Sequence, residues 1–161
     1  ALYDYGVWAN ERLLAQAESL SDADLRRPFW HGTRSLFDDF AHLCGVDYAW
    51  FTGIRGALPP PGFREELAAL QTIDAIRQKW APLIAERRAF IAGISEEQLR
   101  QPIPVKRRAA DSDLLIWQGL LQCANHGTQH RSEIAAMLSE LGHSPGDLDF
   151  VYFCLEQAKS Q

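Results

Sequence analysis

The chain has 161 residues, 47% of them hydrophobic, with modest Gly and Pro, which suits one soluble globular domain spanning 1–161 with a sizeable core. A net charge of -5 argues against nucleic acid as a partner, and no apolar run reaches the roughly 18 residues of a membrane span. The opening Ala1-Leu2-Tyr3-Asp4-Tyr5 has no basic region and no apolar leader, and Cys44, Cys123 and Cys154 are an odd number, so the chain reads as cytoplasmic with reduced thiols.

Helical periodicity runs through the sequence. Leu2, Tyr5, Ala9, Leu13, Ala17 and Leu20 predict a first helix ending before Ser21. Leu36, Phe40, Leu43 and Trp50 predict a second from about Ser35 to Gly53. The segment from Gly56 to Gly62, with Pro59-Pro60-Pro61, is a loop. Ile73, Ile76, Trp80, Leu83, Phe90 and Ile94 give a long third helix with a bend expected near Pro82. Pro102 to Asp113 is the place for a small strand pair, and Lys106-Arg107-Arg108 within it reads as a solvated basic loop. A fourth helix spans about Asp113 to Leu141, closed by Gly142 as its C-terminal cap, and a short fifth follows around Phe150 to Ala158.

A faint repeat underlies this order. Ser21-Asp-Ala-Asp-Leu25-Arg-Arg-Pro28-Phe29 resembles Ser95-Glu-Glu-Gln-Leu99-Arg-Gln-Pro102-Ile103. Each copy follows a long helix, opens on a capping residue and stops at a proline. The expected architecture is all-α, a four-helix bundle of two helix–link–helix halves.

The fourth helix carries His126 and His130. Four residues turn an α-helix by about 400°, so the two imidazoles leave one face a turn apart. Leu115, Gly119, Gln122, Glu133, Met137 and Leu141 fall within roughly 60° of that face, apolar at its ends and polar in its middle. Burying those polar groups alone would cost a few kcal/mol each. A metal ion with hydrogen bonds behind its ligands satisfies them; so would ordinary hydrogen-bonded core or surface histidines. His42, one turn after Asp38 and Asp39, is either a half-buried histidine bonded to a carboxylate or a third ligand from a facing helix. His31 and His143, at predicted helix ends, read as surface or capping residues.

Leu120-Leu-Gln-Cys-Ala-Asn-His126-Gly-Thr-Gln-His130-Arg131, followed by Leu141-Gly142-His-Ser-Pro145, resembles the DinB family, with its Asn-His-x-x-x-His-Arg motif before Leu-Gly and Pro. Tyr5-Gly-Val-Trp8-Ala-Asn10-Glu-Arg-Leu13 is similar to the family's first helix, and Phe37-Asp-Asp-Phe-Ala-His42-Leu43 through Trp50 to its second. The resemblance covers nearly the whole chain. It implies a four-helix bundle in which His42, His126 and His130 bind a divalent metal such as zinc or nickel. It also implies kinship with thiol-dependent transferases and isomerases, beside members of no known reaction. The sequence departs from the usual pattern at Gln129, where many members have a second histidine, at Ser132-Glu133, which replaces a common Gly-Gln, and near Ala109-Ala110, which lacks the usual glycine.

Three histidines leave a coordination position open, as catalytic zinc sites do. Glu133, Asp38 and Asp39 are then the candidates for a general base or for carboxylates that orient the ligands. Cys123, three residues before His126, would close the site into a structural Cys-His-His-His centre if it joined. Two functions follow: a metalloenzyme joining a low-molecular-weight thiol to an electrophile or hydrolysing a small molecule, or a metal-binding, small-molecule-sensing bundle without turnover. Aromatic residues at the links, Phe29, Trp30, Phe51 and Phe63, lead to the expectation of a homodimer.

Overall fold

The computed structural model describes residues 1–29, 34–105 and 114–159, so Trp30, His31, Lys106-Arg107-Arg108 and Ala109-Ala110 lie outside the described residues. The described chain is all-α, with eight helices and no strand among its residues. They are α1 (Leu2–Ala17), α2 (Asp22–Arg26), α3 (Leu36–Ile54), α4 (Phe63–Ala68), α5 (Ile73–Gly93), α6 (Glu96–Leu99), α7 (Ile116–Glu140) and α8 (Phe150–Lys159). The four long helices α1, α3, α5 and α7 match the four predicted ones, and α5 continues through Pro82. The first helix stops at Ala17, short of the predicted Leu20. Among the described residues no helix is long and apolar enough to cross a membrane.

The repeated nine-residue pattern becomes the two short helices α2 and α6. Ser21 Oγ accepts the Asp24 N–H and Ser95 Oγ accepts the Gln98 N–H, while Gln98 returns a bond to the Ser95 N–H. These caps satisfy amides that a helix start otherwise leaves exposed. Residues 106–113 of the segment expected to hold a strand pair lie outside the described residues; among those described, Pro102 and Leu115 form an antiparallel bridge, with Ile103 N–H donating to Leu114 and Ile116 N–H to Gln101. Pro102 has no N–H to continue a ladder. The helix α4 was not anticipated; Phe63 and Leu67, one turn apart, are its only strong apolar signal, and both are buried.

The chain divides into two compact units, residues 1–39 with 128–161, and residues 40–127. In the first, α1 buries Ala9, Leu13, Leu14 and Ala17, and the end of α7 buries Ile134, Met137 and Leu138. Tyr5 packs edge-on against Phe150 and Phe153, and its hydroxyl donates to the Leu148 carbonyl at 2.8 Å. Trp8 Nε1 donates to Glu156, which also pairs with Arg12, tying α8 to α1. Helix α7 ends as predicted at Gly142: its φ of +81° is left-handed, the Gly142 N–H reaches Ser139 and the His143 N–H reaches Leu138. That paired closure favours glycine because any other residue would strain there.

In the second unit the core gathers Phe40, Leu43, Cys44, Phe51, Ile54, Ile76, Trp80 and Leu83 from α3 and α5. Asp47 lies in this apolar setting and is compensated twice, by Arg87 Nη1 at 2.5 Å and by Trp80 Nε1 at 3.0 Å. Phe29, Phe51 and Phe63 are all buried within the fold, so they do not supply the exposed surface from which dimerisation was expected.

Two outcomes follow from this packing. Replacing Asp47 with Ala leaves Arg87 buried without its carboxylate and should lower unfolding stability by about 3–5 kcal/mol, read as the urea midpoint. A loss under about 1 kcal/mol would mean the pair is dispensable. Burial, reinforced by the charge of Asp47, pushes the Cys44 thiol up to about 12, and Cys123 is also buried while Cys154 is exposed. Ellman's reagent at pH 8 should therefore titrate Cys154 rapidly, and Cys44 and Cys123 only in denaturant, since the thiolate is the reacting form.

Candidate metal centre

The start of α3 is set by Ser35 and Asp38. Asp38 Oδ2 accepts both the Ser35 N–H at 3.0 Å and the Ser35 hydroxyl at 2.7 Å, and Ser35 Oγ accepts the Asp38 N–H. Asp38 is thus engaged as the reciprocal partner of a helix cap. The next residue, Asp39, points the other way and is only 2% exposed. His42 follows it within the same helix and is half-buried.

In residues 40–127, the rings of His42 and His126 approach with centroids 5.4 Å apart, tilted by 48°. Their nearest ligating nitrogens come within 4.8 Å, and the same limit holds for His126 and His130 on successive turns of the continuous α7. Two nitrogens bound to one zinc at about 2.0–2.1 Å each stand no more than about 4.2 Å apart. A cluster of histidines able to hold a metal ion is therefore present. Cys123, buried earlier in α7, enters neither group of converging donors among the described residues.

In residues 1–39 with 128–161, a second group converges on His130: its ring, the Asp39 carboxylate and the Glu133 carboxylate bring ligating atoms within 4.8 Å of one another. Glu133 Oε2 stands 2.7 Å from His130 Nδ1, and Glu133 Oε1 accepts from Gln129 Nε2 at 3.3 Å. Arg34 Nη1 reaches Asp39 Oδ1 at 3.4 Å. Burial pushes the Asp39 carboxyl above the ordinary carboxylate range, opposed by the hydrogen bond and charge of Arg34 and by His130, and reinforced by Glu133.

The donor chemistry fits a metal. A ligating histidine commonly gives its second nitrogen to a carboxylate, which fixes tautomer and ring direction. With Nδ1 facing Glu133, His130 has Nε2 for an ion. Zinc and nickel both accept imidazole nitrogen.

Of the sequence-derived residues, His42, His126, His130, Asp39 and Glu133 lie in these converging groups, and Asp38 is taken up by the cap. Gln122, expected in the buried polar stretch of α7, is exposed. His143, half-buried, shares a hydrogen bond with Ser19. Arg34 beside Asp39 was not singled out from the sequence, and two other participants were named there without a role in the site: Gln129, which lies beside Glu133, and Arg131. The last is 6% exposed, with Nη2 on Thr128 Oγ1 and its guanidinium over the Tyr5 ring. The i, i+4 spacing of Gln129 and Glu133 was the available signal for one of them.

An all-helical chain whose long helices present converging histidines defines a candidate metal-binding helical protein. The DinB family model matches residues 1–159, and the chain belongs to the DinB family. It is similar to "Protein DinB" of Bacillus subtilis (strain 168), 24% identical over 155 residues that cover 92% of this chain and 89% of that protein.

Glu133 makes a specific expectation testable. If it orients His130, Glu133→Gln should weaken zinc binding by about 10–100-fold, measured by competition with a chromophoric chelator. Unchanged affinity would remove Glu133 from the centre.

Proposed function

We propose that His42, His126 and His130 together bind one divalent ion, zinc or nickel, with a coordination position left open, and that the protein is a metalloenzyme acting on a small molecule. The observation that carries this reading is the approach of His42 and His126 at 5.4 Å, with His130 one turn further on α7 and its second nitrogen against Glu133. Such an ion would lower the pKa of a water or low-molecular-weight thiol bound at the open position. The protein's own part is to fix the rings. Glu133 holds His130, and Asp39, sealed and paired with Arg34, keeps negative charge close to the same ring. The reaction classes that suit this are transfer or isomerisation with a small thiol, and hydrolysis. A bundle that binds metal for sensing would share the ligands and differ in having no exchangeable position.

The separating measurement is on tag-free protein loaded with cobalt or zinc. Cys123→Ala is expected to keep stoichiometric metal and His126→Ala to lose most of it. Added 2-mercaptoethanol is expected to change the visible spectrum of the cobalt form by binding the ion directly. Loss of metal in Cys123→Ala, together with a spectrum indifferent to thiol, would leave a closed structural site and overturn the catalytic reading.

A further inference from the structure

Helix α8 is apolar on two sides, and α1 covers one of them. Phe153 is buried, with its ring centroid 6.1 Å from Tyr5 and 5.9 Å from Trp8. Val151, Cys154, Leu155 and Ala158 are all exposed, Val151 by 56% and Leu155 by 53%. Their i, i+3, i+4, i+7 spacing sets them in one stripe, about 100° or more around the helix from Phe153. A helix that is apolar on both sides is ordinarily covered on both.

The ends of α8 carry opposite charge. Asp147 and Asp149 precede the helix and Lys159 is its last residue, and all three are exposed. The stripe is also graded in size along the helix. Val151 and Ala158 are equidistant from a point between Cys154 and Leu155, so each large side chain has a small one at the mirrored position.

We propose that this stripe is the docking surface for a second copy of the chain, α8 packing antiparallel against α8 about a two-fold axis between Cys154 and Leu155. In that register Val151 meets Ala158 of the other copy and Leu155 meets its Cys154, large against small as close packing requires. The acidic end of each α8 then lies beside the basic end of the other. A parallel pairing would bring like charges and like helix dipoles together. A lipid surface is the poorer occupant, because stripes that bind membranes are flanked by basic residues and this one is acidic at one end. Area sets the strength. With the half-exposed Phe150 and Tyr152 beside it, the stripe offers roughly 500 Å² per copy. Some 1,000 Å² in total is on the order of reversible interfaces and below that of obligate dimers.

Sedimentation velocity of the full chain at rising concentration tests the proposal. The chain should pass reversibly from monomer to dimer, with a Kd on the order of tens of micromolar. Leu155→Asp places a carboxylate in the seam of both copies and is expected to weaken the dimer by about tenfold or more. Leu155 is exposed in the single chain, and retained helical circular dichroism checks that the variant folds. Charge tests the register. Lys159→Glu and Asp149→Lys should each self-associate several-fold more weakly, and an equimolar mixture should associate better than either alone, because the mixed antiparallel pair restores opposite charges at both ends. A short bis-maleimide should join Cys154 to its copy, since Cys44 and Cys123 are buried, and should do so far more slowly in Leu155→Asp. A chain still monomeric at about ten times the expected Kd overturns the proposal. So does a dimer that Leu155→Asp leaves unchanged, which puts the contact elsewhere. No gain on mixing the charge variants overturns the antiparallel register. A monomer that sediments with phosphatidylcholine vesicles overturns the dimer and gives the stripe to a lipid surface.

Discussion

The placement of His130 constrains everything around it. Its ring is buried on α7 beside the buried Arg131 and ahead of the apolar Ile134, Met137 and Leu138. A buried imidazole must have both nitrogens satisfied, or the helix forfeits part of the free energy its apolar residues provide. Glu133 Oε2 stands 2.7 Å from Nδ1 but is not aligned as a hydrogen bond, so closeness to the carboxylate rather than a formed bond is what the fold supplies. Asp39 and Arg131 follow from the same need. They are buried polar groups with partners in the same unit: Asp39 has Arg34, and Arg131 has Thr128 at Nη2 and the face of Tyr5, while its Nε has no hydrogen bond. Such a cluster is costly to keep without a purpose beyond packing, since apolar residues of the same volume would do as well or better for stability.

The contrast with Asp47 sharpens that point. There too a carboxylate is buried, but Arg87 and Trp80 close on it and the network is complete as it stands. Opposite charges cancel, the indole adds a donor, and nothing in the arrangement asks for a further ligand. Around His130 the arrangement is different: two carboxylates and a ring converge, with Arg34 at 3.4 Å from Asp39 and Gln129 donating to Glu133. Carboxylates and imidazole gathered in this way could hold a cation, whereas the paired charges at Asp47 form a clamp between two helices.

Much of this was legible in the sequence because it is local. The four long helices follow from apolar spacing, the cap at Gly142 from a glycine after a periodic run, and the α2 and α6 starts from Ser21 and Ser95 three residues before an acid or amide. The histidines His126 and His130 were visible for the same reason, as a spacing on one helix. What the sequence could not supply were choices decided at a distance. Asp38 and Asp39 are equivalent as letters, and only the backbone direction at the head of α3 sends one to a cap and the other inward. Gln122 shares the wheel position of buried residues yet is exposed, because a helical wheel gives direction and not where coverage by neighbours ends. Link aromatics such as Phe51 and Phe63 looked like surface for an interface because their partners, Phe90 and Tyr48, are remote or on another element.

The roles of the carboxylates bear on which form of the proposed chemistry suits the site. Activating water for hydrolysis is helped by a carboxylate free to take a proton beside the open position. Glu133 is poorly suited, with one oxygen at His130 and the other at Gln129. Asp39 is sealed from solvent and already partnered by Arg34. Both are disposed to hold a ring in place more than to shuttle protons. A small thiol makes less demand, because its ordinary pKa near 8.5 is within reach of neutral pH once a cation stabilises the thiolate. Carboxylates committed to orientation thus support thiol transfer over hydrolysis as the form of the proposed reaction.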